Sequence, residues 1–234
     1  GGAKPTPFAP GKPGHALPPP PDDKALPADL FPAIVPNQLP LRIGADSNGQ
    51  NRFVGDLTEP LVFGRALTAD EIAMLARGEA KALSQAPGLI GAWTFGNRQG
   101  DLFPNTADVA LPAKAVGQVE VVDGPRGKAI RLTGEGYLEI ANAPKLNLTE
   151  ACTMAAWVSP KALPPGGARI IDKTQAGTSN GYMIDTCPGN SLRLIVERGS
   201  MGYAASLVPD QWAHVAATED ADGTEVLYVN GKPV

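Results

Sequence analysis

The sequence contains few of the residues that enzymes use most often for acid–base and nucleophilic catalysis. Its 234 residues include two histidines, His15 and His214, and no Gly-x-Ser-x-Gly motif that would place a nucleophilic serine. It also lacks an excess of positive charge, since the net charge is −4 and the pI about 5.2. Phosphate binding requires a basic surface, so the composition argues against nucleic acid as the main partner.

Cysteines and long apolar segments are also scarce. The two cysteines, Cys152 and Cys187, form no C-x-x-C pair, so the sequence does not indicate a zinc site. They are predicted either to form a disulfide, as in a secreted protein, or to be two small apolar side chains. No stretch approaches 18 apolar residues, so no membrane span is predicted.

Glycine and proline, by contrast, are abundant. The chain has 27 glycines and 24 prolines, which is more than a fifth of its length, and 43% of its residues are hydrophobic. This composition is typical of a globular protein with many turns and short strands. Residues 1–40 are rich in proline and include "ALPPPPDD", so they are predicted to form an extended, polyproline-like arm or loop.

Beyond residue 40 the pattern predicts about a dozen short strands and one helix. The helix signal is "TADEIAMLARG", in which Thr68 and Glu71 form a capping box and Gly78 ends the helix. Several segments alternate apolar and polar residues, among them "KAIRLTG" and "GYLEIA", with a turn expected at Gly134 and Gly136. The fold class predicted is all-β, a two-sheet antiparallel sandwich with one short capped helix.

The strand sequences resemble those of a laminin G-like, concanavalin A-like jelly roll. The resemblance rests on "GLIGAWTF", on "CTMAAWVSP", on "RIIDK" followed by "GYMID", and on "QWAHVAATE" followed by "LYVNG". The family's closing block, Leu-x-Ile-Gly, Phe-x-Gly-x-Ile and Arg-Ala-Leu-x-x-x-Glu-Ile, is also found, but at the front of the chain, as Leu41–Gly44, Phe53–Leu57 and Arg65–Ile72. The motifs therefore occur in a rotated order.

Three explanations of this order remain open. Residues 41–234 can be one circularly permuted jelly roll, with 41–78 as its closing strands and helix, 79–87 as a connector and 88–234 as its opening and central strands. Alternatively, the chain is a piece of a tandem array and holds the end of one jelly roll and most of the next. In the third explanation, the front block of one molecule completes the sheet of another by strand complementation. In the rotated fold, residues 39–45 are expected to be the return arm after the Asn-Gly turn of "VLYVNGKPV".

The resemblance implies one structural Ca²⁺ between the entry strand and the closing strand. Oxygen ligands on irregular loops suit this ion. The candidates are Asp56 and Glu59 in "GDLTE", and Asp101, Asn105 and Asp108 in "GDLFPNTAD". The alternative is ordinary turn chemistry, in which Asp and Asn bind their own backbone. The family's Asp-Glu pair is Thr58-Glu59 here, which weakens the metal assignment.

A sugar site needs planar polar groups and an accessible aromatic ring. The tryptophans, Trp93, Trp157 and Trp212, occupy motif positions and are interpreted as core. The candidate ligand-binding residues lie elsewhere, on a hairpin joined by "CPGN" and on its flanking loops: Gln175, Asn180, Asp185, Arg193 and Tyr203. The alternative for Asp185 and Arg193 is a cross-strand ion pair without a ligand.

The sequence is therefore interpreted as a non-catalytic binding or adhesion module of a larger secreted protein, extracellular or periplasmic, with carbohydrate as the preferred ligand. A structural or assembly domain that recognises protein, including its own copies, is the alternative. A glycoside hydrolase or lyase is the third and least favoured interpretation. Its candidate acids, Glu139, Asp185 and Glu197, lie on three separate strands, which does not suit a pair of carboxylates across a cleft. No cofactor is expected besides Ca²⁺.

Overall fold

The computed structural model of the chain describes residues 34–197, 199–203 and 207–234. Almost all of the proline-rich segment 1–40, including His15, lies outside the described residues. The described part contains fourteen strands: β1 Leu41–Ile43, β2 Val54–Phe63, β3 Leu89–Ala92, β4 Leu102–Phe103, β5 Ala113–Gly124, β6 Gly127–Ile140, β7 Cys152–Pro160, β8 Ala168–Asp172, β9 Tyr182–Thr186, β10 Leu192–Val196, β11 Gly199–Tyr203, β12 Ala213–Glu219, β13 Glu225–Val229 and β14 Lys232–Pro233. The helix α1 spans Ala69–Ala76, and two short 3₁₀ helices span Ala80–Leu83 and Pro144–Leu146.

All strand pairs are antiparallel and belong to one continuous, curled sheet. Its main order is β11-β10-β9-β8-β1-β6-β2-β7-β12-β13-β14, and β5 also pairs with β6. The long strand β6 joins the two layers, because Leu138–Ile140 pair with β1 whereas 130–133 pair with β2. The two halves face each other, with β9 against β7 and both β10 and β11 against β13. The fold is an all-β, jelly-roll-like sandwich, as predicted.

The main core fills the space between the two layers. Alternate residues of the facing strands point inward, as the period of two requires. The core includes the largest fully buried ring, that of Trp93, which is 1% exposed and whose Nε1 donates to the Leu111 carbonyl oxygen at 2.9 Å. The other two tryptophans are only partly buried. Trp157 lies under the Arg126 guanidinium, 5.0 Å from its ring centroid, so the interpretation of all three as core holds for Trp93 only.

A second, smaller core lies on the outer surface of β2, β7, β12 and β13. The helix α1 covers it with Ile72 and Leu75, which are buried there with Leu61, Phe63 and Tyr228. Thr68 and Glu71 form the predicted capping box, and Gly78 follows the last helical turn with a φ of +80°. The short helix therefore covers apolar surface that the sheet alone would expose.

The front block lies within the same sheet as the strands of the later sequence. β1 is between β6 and β8, and β2 is between β6 and β7. The expected place of the return arm is wrong, however, because β1 is several strands away from β13. The Asn-Gly turn returns through β14 instead, where Val229 pairs with Lys232 and Tyr228 with Pro233. Asn230 (φ +52°) and Gly231 (φ +77°) have the positive φ values of a type I′ turn.

The structure corrects three further strand predictions. Gly134 and Gly136 do not separate two strands but lie within β6, where a Cβ on Gly136 would overlap the Gln118 carbonyl group of β5. The strand β5 was not predicted, although "VGQVEVVDG" alternates in part. The segment before Tyr203 is not a loop but the strand β11.

Candidate functional site

A row of charged side chains crosses the outer surface of the layer formed by β8, β9, β10 and β11. Register pairs Arg169 of β8 with Asp185 of β9, and Asp185 with Arg193 of β10. Gly202 of β11 follows opposite Arg193. Directly opposed residues of antiparallel strands share a face, so the three charges lie side by side.

Asp185 is at the centre of this row and is fully buried. Its carboxylate accepts hydrogen bonds from Arg193 Nε at 3.0 Å and Nη2 at 2.7 Å, and a further bond from Arg169 Nη1. The hydrogen bond to Asp185 raises the pKa of Arg193 above its ordinary value. A side-on arrangement of this kind fixes the plane of the guanidinium group and keeps it charged.

A second carboxylate continues the row. Arg169 Nε lies 3.1 Å from Asp172 Oδ2. Asp172 is also buried, and its Oδ1 accepts from the Thr174 backbone N–H at 2.6 Å and hydroxyl at 2.7 Å. Burial raises the pKa of Asp172 to about 6, against the opposing hydrogen bonds from Thr174. Both counter-charges of the arginines are therefore beneath the surface, away from solvent.

An open groove of about 520 Å³ lies over the two arginines. Their side chains are 11% and 23% exposed. The described residues that line the groove include no carboxylate and no aromatic ring. They are Arg169, Gly177, Thr178, Ser179, Arg193, Ile195, Gly199 and Ser200. The polar side-chain groups offered to a ligand are thus N–H donors and hydroxyl groups, beside the apolar side chain of Ile195.

The loop at the rim of the groove is shaped by Asn180. Its Oδ1 accepts from the Gln175 backbone N–H at 2.8 Å and from the Thr178 hydroxyl at 3.1 Å, which closes the turn that presents 177–179. Asn37 Nδ2 is 3.5 Å from the same oxygen. Asn180 therefore positions the rim, whereas Gln175 is exposed and does not line the groove.

The structure brings together part of the predicted ligand-binding set. Asp185 and Arg193 form the cross-strand ion pair that the hairpin predicts, and Asn180 lies at the adjacent loop. Tyr203 does not join them, because it pairs with the buried Leu192 and packs against the main core. Arg169 was not predicted; its only sequence signal is its place in "ARIID", and a register shift in β8 next to it obscures its partner.

The structure does not gather the predicted calcium ligands into a site. Asp56 accepts two hydrogen bonds from Arg131, at 2.8 Å each, and Asp108 accepts from Lys145 Nζ at 2.7 Å. Asn105 bonds the backbone of residues 90, 92 and 107, and Asp101 lies 3.5 Å from Arg98. No group of three or more His, Cys, Asp or Glu side chains within the described ranges is placed to hold a metal ion.

The predicted disulfide is not formed either. Cys152 and Cys187 are both free thiols. Cys152 is buried in the main core at the start of β7, and Cys187 is partly exposed just after β9. Burial raises the pKa of the Cys152 thiol far above its ordinary value, which suits its alternative interpretation as a small apolar side chain.

The acids considered for glycosidase chemistry are engaged in ion pairs at two of the three positions. Glu139 Oε2 lies 2.9 Å from Arg42 Nη2, and Asp185 is held by Arg169 and Arg193. Glu197 is exposed.

No helix of the described part has the length and hydropathy needed to cross a membrane.

Comparison with known proteins supports the resemblance for the later part of the chain. A laminin G family model, described as the concanavalin A-like lectin/glucanases superfamily, matches residues 132–234, slightly less than half of the chain. No curated protein and no solved structure matches the chain. The superfamily includes both non-enzymatic lectin and adhesion domains and glycosidases. Residues 132–234 are thus similar to the laminin G-like domains of this superfamily.

Proposed function

We propose that this domain is a non-catalytic carbohydrate-binding module of an extracellular or periplasmic protein. The observation that carries the proposal is the groove over Arg169 and Arg193, whose counter-carboxylates are buried beneath it. The similarity of residues 132–234 to the lectin/glucanase superfamily supports the ligand class, and laminin G-like domains are commonly extracellular.

The groove favours sugars that carry acceptor groups, in particular uronic acids. Each guanidinium group keeps N–H donors that Asp185 and Asp172 do not use, and guanidinium groups bind carboxylates in a planar, two-bonded geometry. Stacking of a sugar ring on an aromatic side chain is not the mode of binding here, because none of the described lining residues is aromatic. Hydroxyl groups of Thr178, Ser179 and Ser200 would bind the remaining sugar oxygens.

Affinity electrophoresis tests the proposal, with gels that contain polygalacturonate, alginate or a neutral β-glucan. We expect retardation in the two acidic gels and none in the neutral gel. Arg193→Gln should reduce the retardation at least about tenfold in apparent affinity, because a charged, two-bonded contact is lost. Arg193→Lys, which keeps the charge but not the planar fork, should also be weakened.

The matched control is Arg131→Gln, since Arg131 forms an equally close pair with Asp56 elsewhere in the sheet. This variant should be retarded like the parent protein. The melting temperature of Arg193→Gln should fall because Asp185 loses two hydrogen bonds, so an unchanged β-sheet circular dichroism spectrum at the assay temperature is used to exclude a folding defect. Absence of retardation in all three gels, or equal retardation of Arg193→Gln and the parent, would overturn the proposal and favour protein recognition.

A further inference from the structure

A second cavity lies on the outer surface of the opposite layer, and its lining is more apolar than that of the arginine groove. It has a volume of about 380 Å³ and lies between β2, β3 and the 3₁₀ helix Ala80–Leu83. Its wall is mainly apolar, formed by Leu61, Phe63, Leu83, Leu89 and Ala92. A cavity of this size and character accommodates the apolar body of a small organic molecule.

One carboxylate, that of Glu59, lines this apolar cavity. It also lines an adjoining cavity of about 120 Å³, and the two cavities share Glu59, Trp93 and Thr94. Glu59 is half-buried and forms no hydrogen bond or ion pair within the described residues. A half-buried carboxylate without a partner is unfavourable, so a cationic ligand at this position would gain from it.

The backbone at Glu59 is strained. Glu59 has a φ of +49°, a left-handed conformation that is costly for a residue with a Cβ. It lies in an irregularity of β2, because Thr58 pairs with Trp157 but the next paired residue is Leu61, opposite Ala155. A bulge of this kind redirects a side chain away from the regular alternation of the strand. Strain at an unpartnered acid beside a cavity suggests that the conformation serves the site.

Three cations lie near Glu59: Lys81 in the lining of the larger cavity, and Arg126 and Lys128 in that of the smaller one. Arg126 stacks over Trp157 and its Nη2 lies 3.5 Å from the Ala76 carbonyl oxygen at the end of α1. Lys128 Nζ donates to Asp123 at 2.6 Å. Burial raises the pKa of Glu59, although the charge of Arg126 opposes this effect. None of these three cations forms an ion pair with Glu59 among the described residues, so a ligand ammonium group can contact the carboxylate directly.

We propose that the cavity between β2, β3 and the first 3₁₀ helix binds a small organic amine, with the apolar body against Leu61, Phe63 and Leu83 and the ammonium group on the Glu59 carboxylate. This site is separate from the arginine groove, and its ligand class is opposite in charge. The proposal does not depend on the carbohydrate function. A protein that binds a polar glycan on one layer can hold an apolar amine on the other without competition.

Ligand-observed NMR and calorimetry with three matched indoles test the proposal. Tryptamine carries an ammonium group, tryptophol a hydroxyl group and indole-3-propionate a carboxylate. Because the probe is small, we expect tryptamine to bind with a Kd of about 1 mM or tighter. Tryptophol should bind at least about tenfold more weakly, and indole-3-propionate should not bind detectably.

Two variants separate the carboxylate from the cavity. Glu59→Gln should reduce tryptamine affinity about tenfold and leave that of tryptophol unchanged. Ala92→Met, which fills the apolar wall from β3, should weaken both probes while Glu59 remains in place. Both are checked for an unchanged β-sheet circular dichroism spectrum.

Three results would overturn the proposal. They are equal affinity for tryptamine and tryptophol, tryptamine binding that survives Glu59→Gln, and absence of tryptamine binding up to about 10 mM. Retention of tryptamine binding in Arg193→Gln is expected and shows that the two sites are independent. If neither glycans nor amines bind, both proposals fail, whereas each fails alone when only its own probe is inactive.

Discussion

The two layers of the sandwich each carry a carboxylate, Asp185 and Glu59, and the two differ in burial and in hydrogen bonding. On the β8–β11 layer, Asp185 is fully buried but accepts three hydrogen bonds from Arg169 and Arg193. On the β2–β3 side, Glu59 is only half-buried but forms no hydrogen bond or ion pair with the described residues. The regular hairpin of β9 and β10 pairs Asp185 with Arg193, whereas Glu59 lies at a break in the register of β2. Burial alone therefore does not identify a site where a ligand charge is missing.

The largest effect is expected when Arg169 and Arg193 lose the carboxylate of Asp185. Asp185→Asn removes the charge that Arg169 and Arg193 share while keeping the shape of the side chain. We expect a loss of about 3–5 kcal/mol in the free energy of unfolding, because Arg193 stays partly buried without a carboxylate and Arg169 keeps only that of Asp172. Urea denaturation measures this loss. Asp56→Asn, at a more exposed pair, should cost clearly less, and equal costs would contradict the explanation.

A buried cation without any acid tests whether opposite charge is needed at all. Lys173 is 1% exposed, and its Nζ donates to the Leu39 carbonyl oxygen at 2.7 Å, to Asn142 Oδ1 at 2.9 Å and to the Asn37 carbonyl oxygen at 3.1 Å. Lys173→Met should reduce the free energy of unfolding by about 3 kcal/mol, because two backbone carbonyl groups lose their donor.

This substitution should also free the segment around residues 37–39, which Lys173 attaches to β8. Hydrogen exchange should be faster at the Leu39 backbone N–H, which donates to Asn37 Oδ1 at 3.0 Å. Lys161→Met, at an exposed lysine, serves as the control and should change neither quantity. Unchanged exchange near Leu39 would show that other contacts hold the segment.

The parts that sequence predicts well are those that depend on local spacing. The capping box of Thr68 and Glu71 and the pairing of Asp185 with Arg193 across a short hairpin both follow from the distance between residues along the chain. The jelly-roll strands follow from alternation and from family motifs. In each of these examples the interacting groups are close in sequence or repeat with a fixed period.

The parts that were missed depend on irregular backbone. The register of Arg169 with Asp185 follows a shift in β8, and Glu59 owes its position to the irregularity in β2. Neither irregularity has a glycine at the decisive residue, although Pro60 lies inside the one in β2 and is a sequence signal for a bulge. Sequence placed Glu59 in a metal site with Asp56, but Asp56 is paired with Arg131, and the two neighbours have separate environments.

Each of the two layers contains a group that titrates at acid pH, His214 in one and Asp172 in the other. His214 lies beside Trp157, with ring centroids 5.5 Å apart, and faces Arg126. Burial and the Arg126 charge lower its pKa to about 4, so its contribution to stability is present above pH 6.5 and is lost as the pH falls towards 4. The raised pKa of Asp172, about 6, has the opposite sign: its contribution is complete below pH 3.8 and is lost as the pH rises through 6.

These two contributions oppose each other between pH 4 and 6, so single variants should separate them. His214→Phe keeps a ring against Trp157 and loses no hydrogen bond at Nδ1, which has no partner. Relative to the parent, its stability should fall by roughly 2 kcal/mol from pH 4 to 6, and that of Asp172→Asn should rise by a similar amount. Urea titrations at several pH values measure both slopes, and parallel curves for all three proteins would refute the assignment.

The smallest effect is expected at Glu59, and it has the opposite direction. Glu59→Gly removes the cost of a Cβ at a φ of +49° and also removes the unpartnered carboxylate, while glycine adds some entropy to the unfolded chain. We expect a net gain of about 1 kcal/mol in the free energy of unfolding, together with the loss of tryptamine binding. Arg193→Gln, by contrast, should lose its ligand without any gain in stability, since Arg193 satisfies Asp185. If Glu59→Gly is destabilising, then Glu59 supports the bulge itself, and the contrast between a satisfied layer and a strained one no longer holds.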